Sequence, residues 1–145
     1  MPGYVLDTSA LLAVVQDEPG GLEVLEILAS GVPGEVHEPA AEAGTAPPVF
    51  LPFIALMELE YKLRRRGGPY EAERQSAIIR AWPVELVESS PRWRHVAAQV
   101  KATYSLSVAD AWIASLAILR SARLVHRDPE LDAIEGLRSL RLPDR

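Results

Sequence analysis

The chain has 145 residues, 48% hydrophobic and 24% charged, which is long enough to bury one real core and too apolar for a disordered protein. A formal net charge of −5 excludes a protein that grips nucleic acid by bulk positive charge, though not a nuclease whose acids hold divalent cations. There is no cysteine, so disulfides and thiolate metal sites are excluded and a metal would have to be held by carboxylate or histidine. The opening stretch "MPGYVLDTSALLAVVQ" has no basic n-region and carries Asp7 inside its apolar run, so no signal peptide is expected. No run approaches the ~20 apolar residues of a membrane span. The expectation is a single soluble, cytoplasmic domain over residues 1–145.

In chain order, "YVL" at 4–6 predicts a short strand ending at Asp7, after which "TSALLAVVQ" takes on helical character. "GGLEVLEILASG", residues 20–31, repeats apolar positions at Leu22, Leu25 and Leu28 or Ala29 between glycines, a second helix. From Val32 to Pro48 the chain is rich in Pro, Ala, Gly and Glu without a period and reads as an exposed loop. "VFLPF", 49–53, predicts a second strand, shortened by Pro52. "IALMELEYKLRRRGG" follows as a helix with Ile54, Met57 and Tyr61 on one side, ended by Arg64 to Arg66 and a glycine pair. A helix over 69–81, a strand "VELVE" at 84–88 and a helix opening at Pro91 come next. "SLSVADAWIASLAI", residues 105–118, is a further helix, "ARLVHRD" a fourth strand ending near Asp128, and "LRSLRL" at 137–142 a fifth. Strands separated by helices predict an α/β fold with a mainly parallel sheet of four or five strands. Such sheets carry their sites beyond the carboxyl ends of the strands.

Four carboxylates fall where that rule looks. Asp7 directly follows the first strand and Asp128 the fourth, Glu58 lies about a turn into the helix after the second, and Asp110 sits in the first turn of the helix starting near Ser107. Each has a plain structural role open to it. Asp7 can cap a helix, Ser107 with Asp110 resembles a capping box, Asp128 before Pro129 suits a turn, and Glu58 can be a surface residue, as Glu60 can. Four unrelated caps at matching places are harder to account for than one pocket. Carboxylates meeting in a pocket raise one another's pKa unless a cation neutralises them, and Mg²⁺ or Mn²⁺ suits all-oxygen ligands. The chemistry that follows is phosphodiester hydrolysis, with no cysteine or histidine nucleophile needed. His37 in the loop, His126 on a strand and His95 beside Arg92 and Arg94 read as incidental. Arg64, Arg65, Arg66, Arg92 and Arg94 are the candidate phosphate contacts, against the plainer reading of solvated charge.

"YVLDTSALLAVVQDEPG", "LPFIALMELEYKL", "YSLSVADAWIASLAI" and "LVHRDPELDAI" resemble the four acidic motifs of PIN-domain ribonucleases, and the short chain resembles the VapC toxins within that family. The resemblance runs from about Tyr4 to Leu142. It implies a three-layer α/β/α sandwich and Mg²⁺- or Mn²⁺-dependent endonuclease action on RNA. It also implies homodimerisation and inhibition by a cognate antitoxin. The family's metal-binding, catalytic acids fall on Asp7, Glu58, Asp110 and Asp128. Thr8 or Ser9 matches its small hydroxyl residue, which orients a ligand or water. Glu58 rather than Glu60 fits the family's spacing before Tyr61. The stretch from Val32 to Pro48 is longer than the family pattern. A PIN-fold nuclease of RNA processing or DNA repair, and a non-catalytic PIN-like binding module, are the competing readings.

Overall fold

Short uninterrupted apolar runs form strands that are buried on both faces, and residues 4–6 and 49–52 are such runs. In the computed structural model, which describes residues 2–30 and 46–145, they become β1 (Tyr4–Leu6) and β2 (Val49–Pro52). With β3 (Glu85–Val87), β4 (Arg123–His126) and β5 (Arg138–Arg141) they make an all-parallel sheet in the order β3-β2-β1-β4-β5. Tyr4 pairs with Val49 on one side and Arg123 on the other, and Val125 pairs with both Leu6 and Leu140. The strands with exposed residues, β3 and β5, are the two edges.

The helices are α1 (Thr8–Val15), α2 (Gly21–Ser30), α3 (Phe53–Arg80), α4 (Pro91–Thr103) and α5 (Val108–Arg120), flanking the sheet as an α/β/α sandwich. A 3-10 turn spans Pro129–Ala133. The chain runs outward from β1 through β2 to β3, then returns past β1 to β4 and β5. That reversal puts the topological switch between β1 and β4, where a parallel sheet opens its crevice. Among the described residues, no single helix is long and apolar enough to cross a membrane. His37 and most of the Val32–Pro48 loop lie outside the described residues.

Sequence and structure part company in three places. The two helices expected on either side of the glycine pair are one helical segment, α3, broken at Gly68, whose φ of 85° is open to glycine without strain; Pro69 starts the second half. The apolar stripes expected on α2 and α3 are also not the buried ones. Val24 and Ile27 are buried on α2 while Leu22 and Leu25 are exposed, and Ala55, Leu56, Leu59 and Leu63 are buried on α3 while Met57 is exposed. Each helix has two apolar stripes at helical spacing, and the period alone does not say which one meets the sheet. Finally, β4 stops at His126, so Asp128 stands two residues beyond the strand rather than directly after it. The ladder ends at His126 opposite Arg141, and the guanidinium of Arg127 just beyond it donates to the carbonyl oxygens of Pro19 and Pro143.

Candidate active site

Asp7 leaves β1 and at once caps α1, accepting from the Ser9 backbone N–H at 3.1 Å and from the Ser9 hydroxyl at 2.5 Å on the same Oδ2. It is buried, and burial raises its pKa despite those two bonds, with Glu58 adding repulsion. Thr8, also buried, donates its hydroxyl to Glu58 Oε1 at 2.7 Å, tying α1 to α3 across 50 positions of sequence. The adjacent hydroxyls thus each hold one acid. Glu60, the near alternative to Glu58, points away and accepts from Ser76 at 2.7 Å.

At Asp110 the cap and the cleft are served by different atoms. Its N–H donates to the Ser107 cap at 3.1 Å, while its half-buried carboxyl faces the other acids. Burial first, then Asp7, and more weakly Glu58 and Asp128, push its pKa up to about 6 against the pull of Ser107. Asp128 caps the 3-10 turn through Glu130 N–H at 2.9 Å. Its own N–H donates to Nδ1 of His126, a fully buried ring. Burial lowers the pKa of that histidine against the pull of Asp132, and with Nδ1 accepting, the ring proton is on Nε2, 3.2 Å from Asp132 Oδ1. His126 therefore braces Asp128, a role that its place on an apolar strand did not announce.

Asp7, Thr8, Ser9, Glu58, Asp110 and Asp128 together line one cleft of about 360 Å³ at the switch point. Among the described residues, no three acids are already gathered as a closed ligand cluster. The donors are all hard oxygens, and the neighbouring charges acting on Asp7 and Asp110 are other carboxylates, which is the chemistry that a divalent cation fits. Arg64, Arg65 and Arg66 do not line this cleft; Arg65 lies over the ring of Tyr61, 4.9 Å from its centroid. Arg92 borders a separate groove with Glu88 and Arg120, and Arg94 another with Lys101 and Trp112. The cations that do line it are Lys62, Arg127 and Arg145. The sequence reading missed both Lys62 and Arg127, although the one stands a turn after Glu58 on the same helix face and the other adjoins Asp128. Nothing local marks Arg145.

The family model described as PIN domain matches residues 4–137. Among solved structures, VapBC2 from Rickettsia felis bound to a promoter DNA fragment is similar with a TM-score of 0.73 at 18% identity, covering 97% of this chain and 98% of that one. DNA-bound VapBC from Salmonella typhimurium gives 0.69 at 19%, covering 97% and 98%. VapC20 from Mycobacterium tuberculosis, described as a toxin that cleaves the sarcin-ricin loop, gives 0.65 at 17%, covering 90% and 94%. No curated protein matches the chain. At these identities the neighbours attest the fold, and the family model, spanning nearly the whole chain, settles the membership: this protein belongs to the PIN-domain family.

Proposed function

We propose that the protein is a divalent-metal-dependent endoribonuclease, the toxin of a type II toxin–antitoxin pair. The observation that carries this reading is the meeting of four carboxylates, from four separate segments, in one cleft where Asp110 is held half-neutral near pH 6. Asp7, Glu58, Asp110 and Asp128 would hold Mg²⁺ or Mn²⁺. When bound, such an ion lowers the pKa of an attacking water and stabilises charge on the phosphoryl oxygens. Ser9 and Thr8 fix the carboxylates of Asp7 and Glu58 for that task, so each acid is oriented before ligands arrive. To hold a cation, Asp110 would have to give up its proton, which would couple occupancy of the site to pH.

The fold shared with VapBC complexes supports a cognate antitoxin as partner, and the RNA-cleaving neighbour supports RNA as substrate. Leu22 and Leu25 on α2 and Met57 on α3 are exposed apolar residues on the early helices and the candidates for a homodimer contact. The test is cleavage of a mixed structured-RNA pool with Mg²⁺, Mn²⁺ or EDTA, comparing wild type with Asp110→Asn. Cutting that needs metal and is lost in the variant supports the reading. No cutting by pure wild type freed of any co-purified protein returns the chain to a PIN-fold binding module.

A further inference from the structure

The cleft is acidic at its floor, yet three basic side chains reach it, and they are not equivalent. Arg127 has little freedom. Its guanidinium donates to Pro19 O and Pro143 O and lies 3.5 Å from Glu18, with its side chain only 10% exposed. It is a strut between the α1–α2 connection and the C-terminal segment. Arg145 is different: it meets the same Glu18 at 3.0 Å, but its side chain is 62% exposed, and Glu18 is already shared with Arg127. Lys62 is freer still. It lines the cleft one turn beyond Glu58 and has no hydrogen bond or ion pair among the described residues.

The sheet order separates these two available cations. Lys62 comes from the helix after β2, and Arg145 from the segment after β5. In the sheet, β1 and β4, which lead to Asp7 and Asp128, lie between β2 and β5. A strand of nucleic acid whose scissile phosphate sits over the acids runs out toward one cation on each side. Long flexible side chains with several N–H donors suit such non-bridging phosphate oxygens, and they read no base.

Resting on the proposed ribonuclease reading, we propose that Lys62 and Arg145 form a phosphate clamp, binding the RNA backbone on either side of the cut, while Arg127 only holds the clamp's frame. Arg64, Arg65, Arg66, Arg92 and Arg94 lie outside the cleft and are not part of this clamp. Its contacts contribute uniform binding, equal in ground and transition states, so they act on KM.

Steady-state cleavage of a fluorescein-labelled mixed-sequence RNA pool in Mn²⁺, repeated across a salt series, tests this. Lys62→Ala and Arg145→Ala should each raise KM about three- to tenfold with kcat within about twofold. Each should also flatten the slope of log KM against log salt by about 0.7, the loss of one single-strand phosphate contact. Lys62→Arg should restore both, and Arg138→Ala, an exposed charge on β5 outside the cleft, should change neither. Wild type that cuts while both alanine variants keep its KM and salt slope overturns the clamp and leaves the ribonuclease standing, as does a loss confined to kcat. Wild type that cuts no RNA overturns both.

Discussion

Two regions built on the same pair of helices handle polarity in opposite ways. Phe53 on α3 and Trp112 on α5 join Trp93 of α4 in a cluster of edge-to-face rings with centroids 4.9 to 5.6 Å apart. The polar atom there is satisfied twice: Trp93 Nε1 donates to Trp112 O and Ser115 Oγ, both at 2.9 Å. Two residues before Trp112, and five after Phe53, Asp110 and Glu58 face an acidic cleft where the other carboxylates raise the pKa of Asp110. The aromatic junction is complete by itself and stabilises the fold. The cleft holds charge that awaits a partner, and it lowers the stability of the protein that carries it.

The largest expected effect would sharpen this contrast. Trp93→Ala should destabilise by about 3 to 5 kcal/mol, because it opens a cavity and leaves polar atoms unpaired, as denaturant melts would show. Asp7→Asn should do the reverse: stability unchanged or improved, and RNA cleavage lowered at least ~100-fold in an initial-rate assay. An Asp7 variant that unfolds like the tryptophan variant would break the comparison. Thr8→Val removes the hydroxyl that holds Glu58, and about tenfold weaker cation binding is expected by titration. Ser107→Ala should cost about 1 kcal/mol, the loss of one helix cap.

The pH dependence is smaller and has a definite sign. The folded-state pKa of Asp110, about 6, lies above its value in the unfolded chain. Between about pH 4 and that value the folded state binds more protons. Stability of the cation-free protein therefore falls as pH rises through this window and is regained on acidification. Cleavage at limiting cation runs the other way, declining as pH drops below about 6. Melts and initial rates across this range check both slopes.

The places of Asp7 and Glu58 were legible because they follow strands, and short apolar runs such as Tyr4–Leu6 mark strand ends well, whereas Asp110 was read from the start of its helix. The sheet was legible for the same reason, down to its parallel sense. What was not legible depends on tertiary contact. Whether Leu22 or Val24 turns inward on α2 is decided by the neighbour it meets, not by spacing. His126 looked incidental because burial and an accepting Nδ1 appear only once Asp128 folds back over it. Arg145 reaches the cleft only because β5 adds beside β4 and carries the C-terminal segment to Glu18. Asp110 was ambiguous between cap and cleft; Ser107 does the capping, through the Asp110 N–H, and the Asp110 carboxyl lines the cleft.

Thermal melting of wild type and Asp110→Asn, with and without Mn²⁺, tests most directly whether the cleft's charge awaits a cation. The account predicts that the cation-free variant melts at the same temperature as wild type or higher, and that Mn²⁺ stabilises wild type by mass action while doing little for the variant. A variant that melts well below wild type, with Mn²⁺ moving neither protein, would contradict it and leave Asp110 as a helix cap alone.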